Sequence, residues 1–189
     1  SLKFQENSIK DTDGFTLCIT DSNDLEGLPE DVIESAANLA KESGKEGWIF
    51  TLHRPSYLPF ITFCCNRELR RQMYMAYNTI GAKGNAYDNR AIVTEIVNKR
   101  LELARLLGYS TYSDYVLAER MAQNTDAVFS MLGKLTWSYL PAARKEMTEI
   151  EDYARQCEGE DFDFQRWDFA YYSEKLKEKK YDLNDEMIR

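Results

Sequence analysis

Val128-Phe129-Ser130-Met131-Leu132-Gly133-Lys134-Leu135-Thr136-Trp137-Ser138-Tyr139-Leu140-Pro141-Ala142 decides the fold class. Its apolar side chains at Val128, Leu132, Leu135, Tyr139 and Ala142 are separated by steps of three and four residues, which put them on one face of an α-helix. Asn124 or Thr125 opens the element, and Ile150 and Ala154 carry the stripe on towards Gly159. That is a run of roughly 30 residues, about 45 Å if straight. Pro141 removes one backbone bond and crowds the carbonyl of Trp137, which predicts a kink. This is the longest element in the chain, and its period makes the fold mainly α.

The same period extends outward in both directions. Upstream, Asp88 is predicted to cap a helix striped by Ile92, Ile96, Leu103 and Leu107, widened by Val93, Val97 and Ala104 and closed by Gly108. Thr111 and Asp114 have capping-box spacing for a helix with Tyr115, Val116 and Met121. Asn66 caps a helix carrying Leu69, Met73, Ala76, Tyr77 and Ile80, and Ser56 is predicted to cap a short one through Cys64. Downstream, Asp168 opens a helix with Tyr172 and Leu176, and Asp182 is predicted to cap another.

Ahead of Pro55 the pattern changes. Lys3 to Ile9 reads as the tail of a helix, Asp11 to Gly14 as a turn, and Phe15 to Thr20 alternates with period two. Leu28-Pro29 opens a helix striped by Val32, Ile33, Ala36, Ala37 and Ala40, and Trp48 to Leu52 is a second strand. Two isolated strands can pair only with each other, so one small antiparallel ribbon is predicted. The chain then reads as a single helical segment: residues 1–54 a helix plus ribbon, residues 55–189 a helical bundle.

With 43% hydrophobic and 13% aromatic residues in 189, a sizeable core can form. No apolar run approaches the length of a membrane span. The formal net charge of −8, with no basic stripe, argues against nucleic acid as a partner. Cys18, Cys64, Cys65 and Cys157 form no C-x-x-C and suit a reducing compartment, the cytoplasm.

His53 is the sole histidine. A catalytic zinc site takes three protein ligands drawn largely from His, Glu and Cys, so none of the usual type is expected within these residues. Gly81-Ala82-Lys83-Gly84 lacks the ending and the preceding strand of a phosphate-binding loop.

Four strings carry more. They are Phe50-Thr51-Leu52-His53-Arg54-Pro55-Ser56-Tyr57-Leu58-Pro59-Phe60, Asn98-Lys99-Arg100-Leu101-Glu102-Leu103-Ala104-Arg105-Leu106-Leu107-Gly108-Tyr109, Tyr112-Ser113-Asp114-Tyr115-Val116-Leu117-Ala118-Glu119-Arg120-Met121-Ala122, and Trp167-Asp168-Phe169-Ala170-Tyr171-Tyr172-Ser173-Glu174-Lys175-Leu176 with Tyr181-Asp182-Leu183 closing. In this order and spacing the chain, from about Leu28 to Arg189, resembles the middle part of the thimet oligopeptidase family of zinc peptidases. The wording is most similar to the bacterial peptidyl-dipeptidase (dipeptidyl carboxypeptidase) branch.

The resemblance implies a helical lobe of a neurolysin-like zinc peptidase, flanking a deep channel that admits short peptides. It also implies that the zinc ligands and the general base of H-E-x-x-H lie downstream, so no catalytic or metal residue is carried over. The chain, opening without Met and ending as a helix starts, is then expected to be an internal piece. Such a piece would lack activity of its own and normally pack against the missing catalytic segment. Its likeliest bare faces are Leu183, Met187 and Ile188, and the preceding face with Tyr172 and Leu176. Trp167, Asp168, Tyr171 and Tyr172 have two readings: a cap with aromatic packing, or side chains on the substrate channel. Pro55, Tyr57, Pro59 and Phe60 read as a rigid corner. The alternative to a peptidase segment is a stand-alone helical interaction module.

Overall fold

A computed structural model describes residues 2–182. The elements are α1 (Leu2–Asp13), β1 (Thr16–Ile19), α2 (Glu30–Glu42), β2 (Trp48–Thr51), α3 (Arg54–Phe63), α4 (Arg67–Asn78), α5 (Arg90–Leu106), α6 (Tyr112–Leu117), α7 (Thr125–Glu158) and α8 (Phe169–Tyr181), with short 3-10 turns at Ser22–Leu25 and Arg166–Asp168. The two strands pair antiparallel, with Thr16 opposite Thr51 and Ile19 opposite Trp48. The ribbon is the predicted one, trimmed at its ends. Gly47 lets β2 enter that pair: its φ is +87°, and a Cβ there would sit 2.1 Å from the carbonyl oxygen of Ile19.

One core gathers Ile19, Leu25, Leu28, Val32, Ala36, Phe50, Leu52, Tyr57, Phe60, Cys64 and Met73. Phe15 and Leu17 pack against it, as the period-two alternation requires. Phe50 and Phe60 meet edge to face at 4.7 Å, and Tyr57 stacks on Tyr77 at 4.0 Å. The Pro55–Phe60 corner is therefore a packing device: Tyr57 and Phe60 are its buried side. A second, smaller core joins the end of α7 to α8 through Ile150, Ala154, Tyr171 and Tyr172, with Phe162 and Phe164 against them.

α1 is held by polar contacts. Asp11 accepts from the Gly81 backbone N–H at 2.7 Å and Asn85 Nδ2 at 2.7 Å, and pairs with Lys83 Nζ at 3.3 Å. Asn7 donates to Asn89 Oδ1 at 3.0 Å, and Asn89 Nδ2 donates to the Phe4 carbonyl at 3.1 Å. Asp11, read as part of a turn, thus belongs to the last turn of a helix that ends at Asp13.

Several caps follow the sequence. Asn66 accepts from the Glu68 and Leu69 amides, Thr111 and Asp114 form a capping box, and Asn124 accepts from the Ala127 amide. Others shift. His53 is the N-cap of α3, while Ser56 Oγ accepts from the Thr51 N–H at 3.0 Å and so ties the helix to β2. Asp88 stands one residue before the N-cap position, Asn89, yet its Oδ1 accepts from the Arg90 backbone N–H at 3.0 Å and so does cap the helix, while Oδ2 accepts from the Gly84 N–H and the Arg90 guanidinium. Asp182 ends α8 in a left-handed conformation, φ 52°. The helix predicted after it, with Leu183, Met187 and Ile188, lies outside the described residues.

α7 runs unbroken through Pro141 for 34 residues. Its last turns bury Ile150 and Ala154, yet every residue from Phe129 to Glu146 is exposed. α5 likewise buries Ala104 alone and leaves Val93, Val97, Leu103 and Leu106 exposed. The predicted bare face around Tyr172 and Leu176 is corrected: Tyr172 is buried and Leu176 packs in the second core. The open apolar surface is on α5 and α7 instead.

Candidate functional site

Asp168 sits at the N-cap position of α8, as its sequence context suggests, yet its side chain makes no bond to an α8 amide. The carboxylate, 0% exposed, turns towards α4. Oδ2 accepts from Arg67 Nη2 at 2.7 Å and from the Gln165 N–H at 2.9 Å; Oδ1 accepts from Arg67 Nε at 3.0 Å and Arg70 Nη2 at 3.1 Å. Arg67 and Arg70 are three apart on α4, which is the spacing that puts both on one helix face.

Arg70 is itself buried and donates through Nη1 to the Cys64 and Cys65 carbonyls at 2.8 and 3.0 Å. Those carbonyls end α3, so one guanidinium joins α3, α4 and α8. Its Nε is buried without a hydrogen-bond partner. The bond to Asp168 holds the Arg67 guanidinium above its ordinary pKa. Two cations around one sunken carboxylate make a pairing whose attraction is largely offset by desolvation when complete, but which costs heavily when one member is removed.

The aromatic candidates surround this pair. Tyr171 lies with its ring 4.0 Å from the Arg70 guanidinium carbon, and its O–H faces Cys65 Sγ at 3.6 Å. Tyr172 donates to Glu158 Oε1 at 2.8 Å. Burial foremost, then these bonds, pushes both phenols above their ordinary pKa. Trp167 is half-buried, edge-on to Tyr74 at 6.3 Å. The structure therefore brings Asp168, Tyr171 and Tyr172 into one packed cluster with Arg67, Arg70, Cys65 and Glu158. Arg67 and Arg70 were missed by the sequence reading. Their i, i+3 spacing after the Asn66 cap was visible, but Asp168 stands 98 residues from Arg70 and nothing local announces it.

A second feature is a groove of about 740 Å3 between α2, β2 and α3. Val32, Ser35, Ala36 and Leu39 form one wall and Pro55, Leu58, Pro59 and Thr62 the other, with Ile49 and Thr51 between. Its size is within the range of ligand sites. It holds no assembled nucleophile and base: Ser56 Oγ is engaged by β2, and His53 Nε2 pairs with Asp13 Oδ1 at 3.1 Å. Among the described residues no three His, Cys, Asp or Glu side chains are grouped to hold a metal ion. With one histidine in the sequence and no such group around it among the described residues, the donor set of a zinc peptidase does not fit the residues present.

Residues 60–189 match the model of Peptidase family M3. Oligopeptidase A of Haemophilus influenzae is 38% identical over 191 residues, covering 99% of this chain and 28% of that protein. Dipeptidyl carboxypeptidase of Escherichia coli is 28% identical over 92% of this chain and 25% of its own length. Saccharolysin of Saccharomyces cerevisiae is 28% identical over 87% of this chain and 23% of its own. Identity thus runs higher to oligopeptidase A than to the dipeptidyl carboxypeptidase that the strings suggested. The chain spans about a quarter of the length of the curated relatives it matches. The match over residues 60–189, on a mainly helical chain with one two-stranded ribbon, leads to the conclusion that this chain belongs to peptidase family M3, the thimet oligopeptidase family.

Proposed function

We propose that the chain is a segment of a zinc-dependent oligopeptidase or peptidyl-dipeptidase that hydrolyses short peptides in a deep channel, and that it supplies a lobe and part of the channel wall. The observation that carries this is the family match over residues 60–189, together with relatives about four times as long. The relatives' names, oligopeptidase A and dipeptidyl carboxypeptidase, speak for peptide substrates. In that reading a metal would be held by residues outside this chain and would supply Lewis-acid chemistry there.

In that reading Asp168, Arg67, Arg70, Tyr171 and Tyr172 act from behind the wall. They clamp α8 onto α3 and α4 and so fix the wall's shape. Trp167, half exposed, is the member of the predicted set with surface left for a peptide. Unpaired Cys18, Cys64, Cys65 and Cys157 favour a reducing compartment, the cytoplasm.

The test is hydrolysis of a short synthetic peptide by the longer polypeptide that carries this chain, with and without a chelator. Chelator-sensitive cleavage by the longer polypeptide, with none by the 189 residues alone, is the result expected. Absence of cleavage by the metal-loaded longer polypeptide across a peptide library would overturn the reading, as would cleavage by the 189 residues alone.

A further inference from the structure

α1 docks by an unusual face. Its buried side chains are Asn7 and Asp11, while Leu2 is 78% exposed and Ile9 59%. A helix held by burial turns an apolar stripe inward; this one turns in an amide and a carboxylate. Such bonds add little net stability, since each replaces bonds to water. What they add is direction, because a hydrogen bond weakens steeply off its axis and a network with its members bonded admits few arrangements. Both buried groups are spent on one loop. Asp11 takes the Gly81 N–H, Asn85 and Lys83, and Asn7 donates to Asn89 Oδ1. Asn89 Nδ2 returns bonds to the Phe4 carbonyl and Ser8 Oγ, each at 3.1 Å. Of the five buried polar or charged side chains among the described residues, Asn7, Asp11 and Asn89 therefore meet here. Asn89 is the most telling of them. It occupies the N-cap position of α5, yet its side chain makes no cap bond, and the Arg90 N–H goes to Asp88 instead. An asparagine in that place ordinarily bonds its own helix; this one is turned over to α1.

We infer that α1 is a brace for α5: by gripping Gly81, Asn85 and Asn89 it sets the direction in which α5 leaves α4. Residues 79–89 are the covalent link between those two helices. α5 buries Ala104 alone, near its far end, so no buried apolar side chain fixes the angle at its start. The loop is drawn shut before α1 takes hold of it, since the Asn89 N–H donates to the Gly81 carbonyl at 2.7 Å. Gly81 makes that closure possible: its φ is +71°, and a Cβ there would stand 3.0 Å from Asn89 Nδ2. α1 then holds the closed loop at both ends, Asp11 on the Gly81 side and Asn7 on the Asn89 side. Two grips on opposite ends of one loop resist rotation, where a single bond would act as a pivot. Without them α5 is free to swing about the loop and to carry with it α6, which packs on it.

The experiment reads amide residual dipolar couplings of the 189-residue chain, weakly aligned in filamentous phage, for the unaltered chain, Asn7→Ala and Asn89→Ala. In the unaltered chain α2, α3, α4 and α5 should fit one alignment tensor, with α5 pointing as in the structure. In both variants α5 should lose that common tensor, its couplings shrinking while its carbon chemical shifts stay helical, and α2–α4 should keep theirs. Couplings of α5 that remain on the α2–α4 tensor in both variants overturn the inference, whether α1 stays docked or comes away. An unaltered chain that already needs separate tensors for α5 and α2–α4 overturns it as well. Asn89→Ala changes α5 itself, so Asn7→Ala, which alters α1 alone, decides the matter should the first variant fail to fold. None of these readouts involves hydrolysis, so the brace stands or falls apart from the peptidase reading.

Discussion

α4 and α7 are both amphipathic helices opened by an asparagine cap, and their fates differ. α4 buries Arg70 and Met73 against α3, the ribbon and α8. α7 buries its last turns against α8 and leaves eighteen successive residues, Phe129 to Glu146, exposed. Periodicity alone does not separate them. Apolar spacing states which face of a helix is to be covered; it says nothing of what covers it, or of whether the cover lies within the same 189 residues. The base formed by α1–α4, α8 and the end of α7 supplies its own partners, and the arm formed by α5, α6 and the rest of α7 does not.

The largest effect should come from the buried ion pair. Asp168→Ala leaves Arg70 sunken with one fewer acceptor, and a loss of about 3–5 kcal/mol in urea unfolding is expected; a neutral result would mean that α8 is not clamped through this pair. Nearly as large is the contrast between two phenylalanines. Phe60→Ala in the base should cost about 3–5 kcal/mol, whereas Phe129→Ala in the arm should change the unfolding of this chain by less than about 0.5 kcal/mol. Equal losses would erase the division between base and arm.

A smaller effect is set by pH. Burial works against ionisation of Asp11, but the Gly81 amide, Asn85 and Lys83 together outweigh it and hold the carboxyl below its ordinary value. A depressed carboxyl stabilises fully above its unfolded value, near 4, and loses that contribution as pH falls through the folded one. Asp11→Asn should therefore cost roughly 1–3 kcal/mol at neutral pH and flatten the acid limb of the stability curve below about pH 4. An unchanged acid limb would remove Asp11 as its source. At the alkaline end, burial lifts Tyr57 to about 12. Its contribution is complete below the unfolded value near 10 and declines as pH rises from there towards 12; Tyr57→Phe should remove that decline.

The smallest effect belongs to the arm's own cap. Asn124→Ala removes the bond to the Ala127 amide and should lower helicity by circular dichroism, at about 1 kcal/mol of local helix stability, without moving the main unfolding transition. A shifted main transition would tie the arm to the base.

What was legible follows the range of the interactions. The ribbon showed in the alternation Phe15, Leu17, Ile19, and the caps at Asn66, Thr111 and Asn124 showed because a cap bonds within three residues. Ser56 misled because an oxygen near a helix start has other takers, here the Thr51 amide, whereas Asp88, one residue early, still accepts from the first amide of α5, that of Arg90. The Asp168 cluster was half legible. Its position at the start of α8 followed from local spacing, but its partners came from α4, and no local rule predicts a contact 98 residues away. The groove walls had a signal in their helical spacing; what no spacing carries is that α2 and α3 stand apart over β2.

Native-state hydrogen exchange on the 189-residue chain tests the division between base and arm most directly. Amides in α3 and α4 should exchange only through global unfolding, while those from Phe129 to Glu146 should exchange through local opening, orders of magnitude faster and insensitive to Phe60→Ala. Equal protection of the two regions, falling together on Phe60→Ala, would contradict the account.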